Sequence, residues 1–290
     1  MSAITFDRIT VEPPASRPVS HLSVSSLNLY RRCPEAFKRK YIDHEREQPN
    51  GKMLLGGAAG AALAQHYARQ LEALEAERGF SFSDVLDELS GPVGGLSTAD
   101  VLDEFSAEWD LRAGREEVLW GSDAPGALKD SGIAALVVYH TLIAPGVVPV
   151  AVEREIELTW PDAPFTLTGY LDLETADGQV CDFKLTGQRW SQDKADAELQ
   201  PTVYLAARRA EGNPATGFQY HALIRTKKPN AEIVPTERTD RQLDLLTDRV
   251  FTIARSIEWR WLNNCWEGAG PDVAWLCRGC AHEACDWRLG

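Results

Sequence analysis

The sequence predicts an α/β fold, in which a mixed β-sheet is flanked by helices. Apolar residues recur at helical intervals before Pro149, and they alternate with polar residues after it. Alternating segments follow one another at residues 150–160, 165–174 and 179–185, as expected of strands. Residues 193–210 then return to a helical pattern before further strand-like segments. Helices that precede and interrupt strands in this order pack against the faces of a sheet.

The composition is that of a globular protein with a substantial core. The chain has 290 residues, of which 44% are hydrophobic, and its formal net charge is −13. It has no run of about 18 apolar residues, and its first residues lack the basic and apolar layout of a signal peptide. We therefore expect a cytoplasmic protein without a membrane span. A basic groove on such an acidic body is still compatible with nucleic-acid binding.

The chain begins with a proline-rich segment and a short helical one. Residues 1–19 show no periodicity, so we expect a flexible arm. Residues 20–149 are predicted to form an N-terminal helical region. Its first segment, 23–41, should break at Pro34, because proline suits the first turn of a helix and disrupts an interior.

Two longer helices are predicted in the rest of this region. The Ala-rich segment 56–74 carries His66 near its middle, and the segment 127–143 ends before Pro145. Between them, the acidic and weakly patterned residues 79–125 are predicted to form a helical insertion.

The second half of the chain is predicted to contain the sheet. Residues 150–240 would form the core, and residues 241–290 a long helix followed by a cysteine-rich loop. Pro201 lies inside the helical pattern 193–210, so this helix is expected to begin nearer residue 199. The predicted strands are 150–160, 165–174, 179–185, 218–226 and 231–235.

Charged side chains recur in one predicted hairpin. Asp182 and Lys184 are two residues apart on a strand, so they project from the same face. Asp172 lies on the preceding strand, and the length of the turn decides what it meets. A two-residue turn would place Asp172 opposite Phe183, whereas a three-residue turn at 176–178 places it opposite Asp182. A shared function of the two carboxylates predicts the longer turn.

Two neighbouring carboxylates repel each other unless a cation lies between them. Mg²⁺ prefers such oxygen ligands and keeps several of its waters. A water activated by the metal could attack a phosphodiester, while Lys184 stabilises the negative charge that develops on the phosphate. An isolated Asp-x-Lys pair is more often a structural salt bridge, but Asp172 on the adjacent strand favours the metal site.

These residues resemble the motifs of a known family. The RecB-type branch of the PD-(D/E)XK nuclease superfamily is similar in three motifs, Gly169-x-x-Asp172, Asp182-x-Lys184 and Gln200-x-x-x-Tyr204. The resemblance implies a restriction-endonuclease-like core that hydrolyses DNA with Mg²⁺ or Mn²⁺. It also assigns roles to residues, namely metal ligation by His66, Asp172 and Asp182, catalysis by these three and Lys184, and DNA contact by Gln200 and Tyr204.

A cluster of cysteines near the end of the chain predicts a second metal centre. Cys277, Cys280 and Cys285 offer three thiolates, which select zinc or an iron–sulfur cluster. The residues leave the fourth ligand open between Cys33, Cys265 and His282. Compactness alone favours zinc.

The N-terminal cysteine motif carries a second resemblance. Residues 23–37, which contain Cys33, are similar to the corresponding motif of CRISPR-associated RecB-type exonucleases and of AddB-like subunits. This resemblance implies a [4Fe–4S] cluster held by Cys33, Cys277, Cys280 and Cys285, in a helical subdomain formed by both ends of the chain. The cluster would act as a staple around the nuclease core.

The resemblance predicts a metal-dependent DNA exonuclease that acts on single-stranded DNA or free ends, with 5′-end polarity by analogy. Phosphate contacts are expected from Arg31, Arg32, Lys227 and Lys228, which lie in local basic segments. A recombination or CRISPR adaptation protein is a further expected partner. Two alternatives stay open, a catalytically silent scaffold that binds DNA or a partner, and a zinc-stapled interaction protein.

Overall fold

The computed structural model of the protein describes residues 18–77, 94–115, 117–160, 165–270, 277, 280, 282 and 285–287. The predicted flexible arm at 1–19 therefore falls outside the described residues except for its last two positions. Residues 79–93 and 116 of the predicted helical insertion also lie outside them.

The helices that precede the long strands follow the sequence pattern closely. A capping box begins the first helix, because Ser23 Oγ accepts the N–H of Ser26 and Ser26 Oγ accepts the N–H of Ser23. The second helix begins at Pro34, which confirms the predicted break. These helices are α1 (Val24–Arg32), α2 (Pro34–Tyr41), α3 (Gly51–Glu77), α4 (Thr98–Arg115) and α5 (Pro125–Leu142).

The strands form one mixed sheet, as the sequence predicts. Its order is β1-β3-β4-β5-β6, with β2 paired to β3 as well. β1 and β3 are parallel, as are β4 and β5, and the other neighbouring pairs are antiparallel. The strands are β1 (His21–Leu22), β2 (Pro149–Leu158), β3 (Thr166–Thr175), β4 (Gln179–Thr186), β5 (Gly217–Ile224) and β6 (Asn230–Thr236).

A helical crossover joins the parallel strands β4 and β5, as parallel pairing requires. The predicted helix 193–210 is in fact two helices, α6 (Gln192–Ala197) and α7 (Leu199–Ala210). Glu198 between them has an extended backbone. The predicted start near residue 199 is confirmed, and Pro201 falls in the first turn of α7, where its missing N–H costs no hydrogen bond. The last described helix is α8 (Asp240–Asn263).

Helices cover the sheet with two apolar clusters. One contains Leu27 of α1, Val203 of α7 and Val250 of α8. The other contains Leu63 of α3 and Tyr139 of α5, together with apolar residues of the sheet. Helices cover both faces of β4 and β5, which makes the buried polar side chains on these strands, Asp182 and His221, conspicuous.

One helical segment also has the length and composition of a membrane span. It is Pro125–Gly146, which comprises α5 and the turn that follows. A core helix passes the same test, and α5 buries Leu128, Leu136 and Tyr139. The segment is therefore no evidence for a membrane.

Candidate functional site

The candidate site lies where β3 changes its strand partner. β2 pairs along the whole of one edge of β3. On the opposite edge, β1 pairs with Thr166 and Leu167, and β4 pairs with Leu173 and Glu174. Residues 168–172, here called the β3 gap, have no recorded strand partner on this edge in the described chain. Side chains from β4 and α7 fill this opening.

The hairpin between β3 and β4 has the register that the sequence predicts. β3 ends at Thr175 and β4 begins at Gln179, so the turn has three residues. Gly178 adopts the left-handed conformation, with φ of 80°, that suits this turn. The pairs Leu173↔Cys181 and Glu174↔Val180 put Asp172 level with Asp182. The strands part at this point, and the backbone N–H of Phe183 donates to Asp172 Oδ2 at 2.9 Å.

Asp182 is held by two partners. Lys184 Nζ lies 2.6 Å from Asp182 Oδ2, and Gln200 Nε2 donates to Asp182 Oδ1 at 2.5 Å. Asp182 is only 4% exposed. Burial lowers the pKa of Lys184, but attraction by Asp182 and then by Asp172 outweighs this effect and leaves the pKa raised. Lys184 is therefore a firmly charged ammonium group beside two acids.

The environment of Asp172, the second carboxylate of the site, disfavours its charged form. Burial, followed by repulsion from Asp182, raises the pKa of Asp172 from 3.8 to about 7. Near neutral pH, the metal-free site therefore tends to keep a proton on Asp172. A divalent cation bound between the two carboxylates would remove the repulsion and displace this proton.

Glu153 is a third acidic side chain at the site, and the sequence analysis missed it. The pairs Val152↔Leu173 and Arg154↔Leu171 place it level with Asp172 on the adjacent strand. Its backbone has a φ of 47°, which is unusual for a non-glycine residue in a strand. Glu153 also contributes to raising the pKa of Asp172. In the sequence it looks like one of several alternating exposed glutamates, and only the register with Asp172 singles it out.

Gly169 and Tyr204 explain two of the motif positions. A side chain at Gly169 would place its Cβ 3.1 Å from Tyr204 Cε1, a tight contact that would require the ring to shift. The Tyr204 hydroxyl reaches the backbone of Tyr170 and the side chain of Gln200. The Gln200–Tyr204 pair of α7 thus fits into the β3 gap, and Tyr204 is almost fully buried.

His66 occupies a different environment. Its Nδ1 lies 3.3 Å from His140 Nε2, and a Cβ on Gly95 would meet its ring. Burial, followed by the proximity of His140, lowers the pKa of His66 to about 4, so the imidazole is neutral. No recorded contact joins it to Asp172 or Asp182, and the described residues contain no preassembled group of three or more metal-ligating side chains. The two carboxylates alone still fit Mg²⁺, which is commonly bound through one or two carboxylates and several waters.

The predicted phosphate contacts lie on the surface. Lys227 and Lys228 are exposed in the turn after β5, at the same end of the sheet as Lys184, because β4 and β5 are parallel. Arg31 and Arg32 are exposed at the end of α1.

The rest of the basic segment that contains Arg31 is neutralised by acidic side chains, of which Glu35 lies in α2 and the others follow this helix. Lys38 pairs with Asp43, and Lys40 pairs with Glu47. Arg39 pairs with Glu35 and Glu45. The local positive excess that the sequence shows over this segment is therefore largely cancelled in the fold.

The cysteines of both chain ends line one cavity. Its wall includes Cys33, Cys277, Cys280, Cys285 and His282. Burial raises the pKa of the Cys33 thiol, and the proximity of Cys285 and Cys280 adds to this effect. These four thiols line one cavity without forming a preassembled ligand group. As a donor set, four thiols would suit either zinc or an iron–sulfur cluster.

The two alternative fourth ligands differ in position, because His282 lines the cavity and Cys265 does not. Cys265 is exposed and is not part of the described wall of this cavity. His282 Nδ1 lies 3.3 Å from a Glu45 carboxylate oxygen, and its Nε2 lies 3.7 Å from one of Glu47.

A polar network ties α1 to α8 beside this cavity. The Tyr30 hydroxyl lies 2.6 Å from Ser256 Oγ, and Arg260 Nε donates to it at 2.8 Å. Arg260 also forms an ion pair with Glu267, whose backbone oxygen accepts the N–H of Glu35 at 3.0 Å.

Comparisons with known proteins identify one family and several similar structures. The sequence profile of the PD-(D/E)XK nuclease superfamily matches residues 21–285. No curated protein sequence matches the chain. One similar crystal structure is a candidate exonuclease from Eubacterium rectale, at 13% identity and a TM-score of 0.45, covering 89% of this chain and 87% of that one. Another is SSO0001, at 14% identity and a TM-score of 0.32, covering 89% and 96%.

Proposed function

The chain belongs to the PD-(D/E)XK nuclease superfamily, and on this premise we propose that it is a divalent-metal-dependent exonuclease that acts on single-stranded DNA. The observation that carries the proposal is the convergence of Asp172, Asp182 and Lys184 in the β3 gap. The pKa of Asp172, raised to about 7 by burial and by Asp182, supports a site that requires a cation.

Mg²⁺ or Mn²⁺ would be held by Asp172 and Asp182, and would supply Lewis acidity and a water of lowered pKa. Gln200 keeps Asp182 oriented through its amide. The Phe183 backbone N–H does the same for Asp172. Lys184 supplies a fixed positive charge where the phosphate gains negative charge during hydrolysis.

His66 is the proposed third ligand. Its neutral imidazole has the protonation state that metal ligation needs. To serve this role, the ring would have to leave His140 and turn toward the carboxylates. A metal-dependent shift in the NMR signals of His66 and His140 would test this movement.

Lys227 and Lys228 are proposed to guide the DNA backbone toward Lys184. Their exposure at the same end of the sheet supports this role. Arg31 and Arg32 are proposed as more distant phosphate contacts. Gln200 and Tyr204 are also proposed to contact the DNA strand. In the fold, Gln200 donates to Asp182, and the Tyr204 hydroxyl contacts Gln200.

The second part of the proposal is a [4Fe–4S] cluster on Cys33, Cys277, Cys280 and Cys285. The shared cavity supports it. The cluster would act as a structural staple between α2 and the end of the chain. By resemblance, the proposal extends to 5′-end polarity, a cytoplasmic location, and a partner among recombination or CRISPR adaptation proteins.

The decisive experiment is digestion of end-labelled single and double strands with Mg²⁺ or Mn²⁺. We expect wild-type protein to shorten linear single strands and to leave circular single strands intact. Lys184→Ala should abolish the reaction, and Lys194→Ala, which removes an exposed lysine stacked on Trp190, should not. Equal cutting by wild type and Lys184→Ala would contradict the mechanism, and cleavage of circles would identify an endonuclease.

A further inference from the structure

Tyr170 is an exposed aromatic residue on a rigid support. Its side chain is 55% exposed. On one edge of β3, the backbone of Tyr170 pairs with Glu155 of β2. On the other edge, it contacts the Tyr204 hydroxyl. The ring is therefore presented to solvent by a strand that is fixed from both sides.

Tyr170 stands next to the proposed reaction centre. It belongs to the β3 gap and precedes Asp172 by two residues. Residues two apart on a strand have Cα atoms roughly 6.6 Å apart. The backbone of β3 therefore holds the exposed ring close to the carboxylate, at the same opening in the sheet. The other described aromatic side chains that are more than a third exposed lie on α8 or in the tail, namely Trp259, Trp261 and Trp287.

The charges around Tyr170 indicate which part of a nucleotide would meet it. Glu155 is exposed and directly opposite Tyr170 on β2. Glu153 and Asp172 add further negative charge on the neighbouring positions. A phosphate that no cation bridges is disfavoured beside Glu155, whereas the uncharged face of a base is not. The free lysines, Lys227 and Lys228, lie instead toward the end of β4 and β5.

We propose that Tyr170 stacks on an unpaired base of the DNA strand whose phosphate is bound at Asp172 and Asp182, and that this contact makes the site selective for single strands. The inference rests on the proposed nuclease function. Stacking on an aromatic ring tolerates every base, because each has a π-face. A paired base inside a duplex is already stacked on its neighbours and has to be unpaired first.

The test compares the binding of two fluorescent ligands, an oligothymidine and an abasic oligonucleotide of the same length. Ca²⁺ replaces Mg²⁺ as the oxygen-bound cation. Tyr170→Ala is expected to weaken oligothymidine binding by about 5- to 150-fold, the range for one stacked base. It should leave binding of the abasic strand unchanged. Tyr170→Phe and Tyr170→Trp should bind like wild type, since the stacking needs no hydroxyl.

Trp259→Ala is the matched control, because this ring is equally exposed but lies on α8. It should not change either affinity. Unchanged oligothymidine binding by Tyr170→Ala, equal weakening of both ligands, or no DNA binding by the wild type would each overturn the inference.

Cleavage separates this inference from the proposed function. Tyr170-dependent binding without any cleavage would refute the nuclease and keep the stacking contact. Cleavage of single strands that is unchanged by Tyr170→Ala would support the nuclease and refute the stacking contact. In an active enzyme, Tyr170→Ala should raise KM for single strands and reduce the preference for single over double strands, with kcat retained.

Discussion

The backbone N–H of Phe183 donates a hydrogen bond to Asp172, while the Phe183 ring lies parallel to the ring of Tyr67, 5.9 Å away between centroids. The Phe183 ring also packs edge-on against Tyr139. One residue of β4 therefore connects the aromatic core under α3 and α5 with an acidic side chain of the site.

The first prediction concerns this aromatic core. The Tyr139 hydroxyl lies 2.7 Å from the Tyr67 hydroxyl and 2.8 Å from His221 Nδ1, and all three groups are buried. Tyr139→Phe keeps the ring but leaves two buried polar groups without a partner, so we expect a loss of about 1–3 kcal/mol in the free energy of unfolding. Urea denaturation measures this loss. Tyr170→Phe, which removes an exposed hydroxyl, is the control and should change stability little.

The second prediction concerns pH and stability. The pKa of Asp172 is raised to about 7, above its ordinary value of 3.8, so the folded protein binds this proton more tightly than the unfolded chain. The contribution of Asp172 to stability is therefore complete below about pH 4 and is lost as the pH rises through 7. Metal-free wild type should lose stability over this window by more than Asp172→Asn. Asp193→Asn, at an exposed position of α6, should behave like wild type.

The third prediction concerns metal affinity. The cation competes with the proton on Asp172, whose pKa is about 7. The concentration of Mn²⁺ needed for half-maximal binding should therefore fall as the pH rises from about 6 to about 8. Calorimetric titration without DNA measures this dependence. A Mn²⁺ affinity that is flat across pH 7 would mean that Asp172 is not a ligand.

The fourth prediction concerns Gly169. A methyl group there would press on the Tyr204 ring at 3.1 Å, so Gly169→Ala should destabilise the fold by about 1–3 kcal/mol and lower nuclease activity. The double variant Gly169→Ala/Tyr204→Ala should lose less than the sum of the two single changes, because the space is restored. Gly126→Ala is the control, since nothing lies within 4 Å of that position. Additive losses in the double variant would show that Tyr204 is not what constrains Gly169.

The fifth prediction concerns the cysteine cavity. Anaerobically purified wild type should contain about four iron and four sulfide per chain, the content of one [4Fe–4S] cluster. Cys33→Ser should lose most of both, whereas Cys265→Ser should keep them because this thiol is exposed and outside the described cavity wall. Stoichiometric zinc without sulfide would favour the zinc-stapled alternative.

Local rules were sufficient to predict part of this structure. Pro34 and Pro201 mark helix starts because the proline ring restricts the backbone wherever it occurs. The three-residue turn of the hairpin could be predicted because only one register brings Asp172 to Asp182, and Gly178 suits the left-handed position.

Other features depend on distant parts of the chain. β1 has two residues, too few for any periodicity, and it forms only because β3 offers an edge. The position of Glu153 at the site could be inferred only from its register with Asp172 in the folded sheet. The pairing of Lys38 and Lys40 with later acids joins residues on either side of a helix end, which a count of charges within the helix does not include. The side-chain direction of His66 likewise depends on His140, which lies 74 residues away.

A polar network joins the N-terminal helices to α8 and to the residues that follow it, without any inorganic group. Its members are Tyr30, Ser256, Arg260 and Glu267. If the proposed cluster were destroyed by oxidation, this network would therefore still connect the two ends of the chain. Damage of that kind should loosen the cysteine loop first, while β4 and its acidic neighbours keep their arrangement.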